Sequence, residues 1–118
     1  MFHPALTIYI DKICAELNEL LIQEDAREWA YITSVNPNSA IASDEKNQQL
    51  LQALKESVKD YKFYEGHGVG TDPAWQPEKS MLIIGIPIEE AIRIGNYYKQ
   101  NAIVAGTLNN PAELILLV

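Results

Sequence analysis

Between Trp29 and Gly106 the apolar residues read, in order, as strand, helix, strand, strand, helix, strand. Few folds accommodate that order. Trp29 to Val35 is rich in β-branched and aromatic residues and ends at Asn36-Pro37. Ser43 is placed to cap the next helix, with Asp44 and Glu45 at the positive end of its dipole. Leu50, Leu51, Leu54 and Val58 form that helix's apolar face, and it stops near Asp60. Tyr61 to Glu65 reads as a short strand running into glycines, and Met81 to Ile84 as a central strand. Pro87 opens another helix, with Glu89 and Glu90 in its first turn and Ile88, Ile92 and Gly95 along one stripe. At Gly95 that helix is expected to pack closely. Ala102 to Gly106 and Glu113 to Val118 are two more strands, joined through the turn Leu108-Asn109-Asn110-Pro111.

This order matches the split βαβ, or ferredoxin-like, arrangement. The expected fold is therefore α+β, an antiparallel sheet with an added N-terminal helix and an added C-terminal strand. Leu6, Ile10, Ile13, Leu17 and Leu20 or Leu21 recur at three- and four-residue steps, which predicts a helix from about Thr7 to Gln23. One α+β domain is expected over 1–118, with the N-terminal helix in 1–27 and the sheet and two helices in 28–118. Two helices belong on one sheet face, and the N-terminal helix on an edge or on the second face. If that second face stays partly open, its apolar strands predict a homodimer.

Strand direction has a consequence for chemistry. In a split βαβ sheet the first two strands run one way and the next two the other. The connections Asn36–Ala42, Gly66–Lys79 and Lys99–Asn101 then meet at one end, while Gly85-Ile86-Pro87 and the Asn109-Asn110 turn lie at the opposite end as plain connectors.

Several functions are set aside by composition. Sixteen acidic against nine basic residues give a formal charge of −7, which repels phosphate backbones and argues against general nucleic-acid binding. The acids are interspersed with Lys and Arg, so imitation of DNA is not expected. A single cysteine, Cys14, excludes an internal disulfide and a multi-cysteine metal cage; its apolar helical setting reads as a small buried hydrophobe. The start of the chain lacks the basic and apolar regions of a signal peptide. No apolar run approaches the roughly 20 residues that span a bilayer. The chain is expected in the cytoplasm, away from membranes.

A strand ending in Asn36-Pro37-Asn38-Ser39 is followed by a capped helix bearing Asn47. A glycine-containing stretch then leads through Trp75 to Glu78-Lys79-Ser80 and an apolar strand, and Gln100-Asn101-Ala102 opens a later strand. Together these features resemble the small bacterial family known as domain of unknown function 3293, over roughly Trp29 to Gly106. The resemblance supports the choice of polar residues. It implies no activity.

Each candidate has a plain reading beside a chemical one. Asn36 and Ser39 could present amide and hydroxyl groups to a ligand, but an Asx-type turn outweighs that reading. Asn47 is expected to point inward and tie the Asn36 loop to its helix. Gly66-x-Gly68-x-Gly70 is not a phosphate loop, because Asp72-Pro73 and a strand follow it instead of a helix. A mobile or tightly turned flap is expected there. His67 is the residue best suited to proton transfer, with Glu78 as partner and Ser39 or Ser80 as hydroxyl. No nucleophile elbow accompanies them, so no catalytic residue is assigned. His3 and His67 are far apart and lack metal-ligand spacing; no metal or cofactor is expected. Trp75 either stacks on a planar ligand or covers the end of the core. Glu78 and Ser80 would face one side, approached by Gln100 and Asn101, as a polar pocket or a structural network.

Three functions follow. The leading one is a small binding or interaction module whose polar end recognises a small molecule or a protein segment through Asn36, Ser39, His67, Trp75, Glu78, Ser80, Gln100 and Asn101. The second is an enzyme using His67 and Glu78 as acid and base. The third is an inhibitory or structural partner that works through its acidic surface.

Overall fold

The computed structural model describes residues 6–68 and 78–118, the Ser39 side chain excepted. Eight main elements follow one another: α1 (Ala15–Gln23), β1 (Glu28–Ile32), α2 (Asp44–Ser57), β2 (Lys62–Gly68), β3 (Glu78–Ile84), α3 (Ile88–Tyr97), β4 (Ala102–Thr107) and β5 (Glu113–Leu116). A 3₁₀ turn, Pro37–Ser39, interrupts the connection from β1 to α2. The five strands form one sheet in the order β2-β3-β1-β4-β5, and every neighbouring pair is antiparallel. This is an α+β protein with three helices on an open sheet.

Strand alternation divides the apolar residues between two faces. Ala30 and Ile32 of β1, Met81 and Ile83 of β3, and Ile103 and Ala105 of β4 face Leu51, Leu54 and Val58 of the α2 segment and Ala91, Ile94 and Tyr98 of the α3 segment. This is the larger core. Ser43 caps α2 by accepting from the Lys46 N–H at 3.1 Å. The Ser57 and Tyr98 hydroxyls, 2.8 Å apart, tie α2 to the end of α3. Gly95 brings α3 close to the sheet: a Cβ there would lie 2.7 Å from Leu117 Cδ1 and 2.8 Å from Ile103 Cγ2.

The other face carries Trp29, Leu82 and Ile84, which pack against Leu17, Leu20 and Leu21 of α1. The N-terminal helix thus covers the second face. It is shorter than its apolar spacing predicts, starting at Ala15 instead of about Thr7. Residues Thr7 to Ile10 are β-branched or aromatic and lie outside the helix. Ile10 bridges to Ala112, the Asp11 N–H donates to the Ala112 carbonyl at 2.7 Å, and Asp11 turns the chain with φ 67°. Pairing with the start of β5 therefore overrides the helical period. Ile10 and Ile13, which fit that period, are exposed. Cys14 is half-buried just before α1, packed at the edge of this second cluster.

β2 and β3 are longer than expected at the end where they meet. β2 runs through Gly66 and His67 to Gly68, which pair with Ser80, Lys79 and Glu78. The first two glycines of the expected flap are therefore strand residues. A Cβ at Gly66 would lie 2.7 Å from the Tyr31 hydroxyl, so the missing side chain seats that phenol. The remainder of the expected flap, 69–77, lies outside the described residues.

Candidate functional site

The strand ladder of β1 stops at Ile32, and side chains take over. Thr33 Oγ1 donates to the Lys79 carbonyl at 2.7 Å and accepts from the Val35 N–H at 3.2 Å, joining the exit of β1 to the start of β3. Asn36 follows with φ 48° and Asn38 with φ 59°, a left-handed backbone that asparagine tolerates. The Asn36 N–H donates to Asn47 Oδ1 and Asn47 Nδ2 donates to Asn36 Oδ1, each at 3.0 Å. Asn36 Oδ1 also accepts from the Ala42 N–H, and Asn36 Nδ2 donates to Glu78 Oε2, each at 2.9 Å.

The third polar segment joins from β4. The Asn38 N–H donates to the Lys99 carbonyl at 2.8 Å. Buried Gln100 donates through Nε2 to the carbonyls of Val35 and Tyr98 at 3.1 and 3.2 Å. Asn101 is half-buried, and its carbonyl accepts from the Leu117 N–H. The structure therefore brings Asn36, Glu78, Gln100 and Asn101 to one end, with Asn47 as the central tie. Ser39 stands in the 3₁₀ turn at that end, and its side chain lies outside the described part. Trp75 lies outside the described residues altogether.

His67 and Glu78 are not brought together. They occupy successive registers of the β2–β3 ladder, His67 opposite Lys79 and Glu78 opposite Gly68. The pleat sends such side chains to opposite faces. His67 shares its face with Phe63, which packs on the larger core, and with Glu65, paired to Lys55 of α2 at 3.3 Å. The exposed imidazole thus sits on the α2 side of the sheet edge.

On the other face, the same end of β2 opens into a cleft of about 690 Å³. Its floor is Tyr31, Gly66, Gly68, Leu82 and Val104, Tyr64 stands beside them, Glu65 and His67 border it along β2, and Leu6 to Ile10 form a wall. Ligand sites commonly fall in this size range, largely apolar with a few placed polar groups. The polar groups here begin with Ser80 and Tyr31. Ser80 is buried, and its hydroxyl donates to the Glu78 carbonyl at 3.1 Å. The Tyr31 phenol lies beside Ser80, which acts to lower its pKa. Burial raises the Tyr31 phenol above its ordinary pKa, only partly offset by Ser80. The Tyr64 phenol is raised by burial and then by the charge of Glu24. Both phenols therefore stay protonated at neutral pH.

No Lys or Arg lines the cleft among the described residues. The same residues hold no group of three His, Cys, Asp or Glu placed for a metal ion, and no helix long and apolar enough to cross a membrane. Sequence reasoning reached Ser80 and the glycines, but missed Tyr31, Tyr64 and the N-terminal wall. A usable signal was present in β1. Trp29 and Tyr31 alternate with Ala30 and Ile32, which marks a second aromatic face opposite the small and branched one.

No curated protein and no solved structure matches the chain. The family model for "protein of unknown function (DUF3293)" matches residues 32–103. That segment runs from the end of β1 through α2, β2, β3 and α3 into β4, and it holds Asn36, Asn47, Gly66, Gly68, Glu78, Ser80, Gln100 and Asn101. With more than half of its length matched, and with the residues of the polar end inside the matched segment, the chain belongs to the DUF3293 family.

Proposed function

We propose that this protein is a small binding module and that its ligand occupies the cleft over Gly66 and Gly68. The observation that carries this reading is the cleft itself: about 690 Å³, floored by Tyr31 and Leu82, with the Tyr31 and Ser80 hydroxyls side by side at its base. An apolar enclosure with a few fixed hydroxyl groups orients a small molecule without needing charge. In this reading the polar end is the frame of the site. Asn36, Asn47 and Glu78 hold the exit of β1 against the start of β3, which carries Ser80. Gln100 and Asn101 hold the start of β4 in place beside it. Ser39, His67 and Trp75 are assigned to the rim of the same end.

The strand order supports a split βαβ reading of the sheet, extended by β5. β3 lies between β1 and β2, with α2 as the crossover, and β4 pairs with the other edge of β1. The lone cysteine and the net negative charge favour a cytoplasmic setting.

The test is a fragment screen followed by amide-resolved NMR on the full chain. Bound fragments should shift Tyr64, Gly66, Gly68 and Leu82 together. Shifts confined to other surfaces, or none across a diverse library, would overturn the reading.

A further inference from the structure

The two edges of the sheet are built differently. β2, at one edge, carries Lys62, Glu65 and His67 exposed along it, and Glu65 is paired to Lys55. Charges of this kind keep another strand from adding to an open edge. β5, at the other edge, has a single charge, Glu113 at its start, and the chain then runs Leu114-Ile115-Leu116-Leu117-Val118. No charge, proline or glycine interrupts that run. Leu114, Leu116 and Val118 are 48, 69 and 90% exposed.

The backbone of β5 is half-used. The Leu117 N–H donates to the Asn101 carbonyl at 2.8 Å, and the register continues with Ile115 opposite Ile103 and Glu113 opposite Ala105. In an antiparallel ladder, residues bonded to one neighbour alternate with residues whose N–H and C=O point the other way. Leu114 and Leu116 therefore turn their backbone groups to the open edge, and Val118 continues the alternation. Ala112 belongs to the same set, but its groups are taken. Its N–H donates to the Lys12 carbonyl at 3.0 Å, and its carbonyl accepts from the Asp11 N–H at 2.7 Å. The N-terminal segment thus covers the edge at Ala112, and among the described residues no backbone bond covers it beyond that point.

What selects a second copy over an unrelated strand is symmetry. The outward residues are evenly spaced about Leu116, so two β5 strands related by a two-fold axis there fit in register. Leu116 faces its mate and Leu114 faces Val118, each pair exchanging N–H···O bonds. The exposed side chains of these residues then pack together on one face of the joined sheet. Val118 of one copy stands opposite Leu114 of the other, clear of the segment seated at Ala112. The pairing also keeps like charges apart in a chain of formal charge −7. The two Glu113 residues stand roughly 20 Å apart, at about 3.4 Å per residue, beyond the screening length of about 8 Å.

We infer that this protein pairs β5 with β5 of a second copy, antiparallel about Leu116, so that two sheets join into one. The dimer expected from an open sheet face is thereby assigned to the sheet edge, since α1 and Leu6–Ile10 occupy the second face. Residues 113–118 take no part in the lining of the described cleft, so the inference stands apart from the proposed ligand site.

The test is sedimentation equilibrium of the full chain at neutral pH, with amide hydrogen exchange alongside. A short edge pairing lies at the small end of specific interfaces, so a dissociation constant of about 1–100 μM is expected. The Leu114, Leu116 and Val118 amides should exchange more slowly at high protein concentration than at low. Leu116→Lys and Leu116→Glu, each shown to be folded by its thermal transition, set like charges across the axis and should each dimerise at least about tenfold more weakly. Mixed in equal amounts, the two variants should dimerise again, because a two-fold at Leu116 sets one charge against the other. A chain that stays monomeric at about 1 mM overturns the inference. So does a dimer that survives both substitutions, or one that leaves the three amides exchanging freely. Failure of the mixture to restore the dimer overturns the register about Leu116.

Discussion

Asn36 and Asn47, eleven residues apart, hold each other reciprocally: the Asn36 backbone N–H donates to the Asn47 amide oxygen, and the Asn47 amide nitrogen donates back to Asn36 Oδ1. This pair fixes where the chain leaves β1 and where α2 begins. Asn36 then reaches Glu78, so the same pair also locates the start of β3. Removing either amide leaves half-buried polar groups of the other unpaired. Asn47→Ala should lower stability by about 1–3 kcal/mol in urea unfolding. Asn36→Ala should do the same, and the double variant should lose clearly less than the sum of the two. Strict additivity would show that the pair is not coupled.

Gly66 and Tyr31 form a second testable pair. Gly66→Ala puts a methyl group 2.7 Å from the Tyr31 hydroxyl, but 3.4 Å or more from the ring carbons. The expected cost is about 1–3 kcal/mol by chemical denaturation. In a Tyr31→Phe background the oxygen is gone, and most of that cost should disappear. A cost that persists in that background would place the conflict elsewhere.

Gly95→Ala separates helix propensity from packing. In an exposed helix the change would stabilise by about 1 kcal/mol. Here the new methyl meets Leu117 and Ile103 at under 3 Å, so the midpoint of thermal unfolding should fall. A rise would mean that the sheet gives way at little cost.

Ser34 is fully buried, and its hydroxyl has no partner among the described residues. Ser34→Ala removes an unsatisfied polar group from the core with little change of shape. Stability should stay level or rise by up to about 1 kcal/mol, read from the denaturant midpoint at constant m-value. A clear loss would reveal a hydrogen bond to a group beyond the described residues.

Alkaline titration tests the two partly buried phenols, Tyr31 and Tyr64. Tyrosine in an unfolded chain ionises near pH 10. Burial holds Tyr31 above that value in the fold, and burial with Glu24 does the same for Tyr64. The folded state then binds more protons than the unfolded state above about pH 10, so stability is full below that pH and falls as pH rises through it. Tyr31→Phe and Tyr64→Phe should each flatten part of this decline. An unchanged decline in both would assign it to other groups.

Periodicity determined the class of this protein. The alternation in Trp29–Ile32, the stripe Leu50-Leu51-Leu54-Val58, the apolar run Met81–Ile84 and the capping at Ser43 each arise from neighbours along the chain. Local chemistry of that kind is legible without the fold. It also directed Asn36, Glu78, Gln100 and Asn101 to one end, because strand direction follows from element order. Three features depended on contacts between distant residues. Thr7–Ile10 lost its helical period to pairing at Ala112, a partner about a hundred positions away in the chain. Gly66 and Gly68 became strand because Tyr31 of another strand occupies the space above Gly66 and Ser80 lies beside Gly68. The pleat then parted His67 from Glu78, although both belong to the same connection in sequence. The cleft belongs to this second kind. Its floor and wall come from β1, β2, β3, β4 and the N-terminal segment, and only their packing creates a space between them. A sequence records which residues are apolar or polar and at what period; it takes the register of the strands to decide which of them share a face.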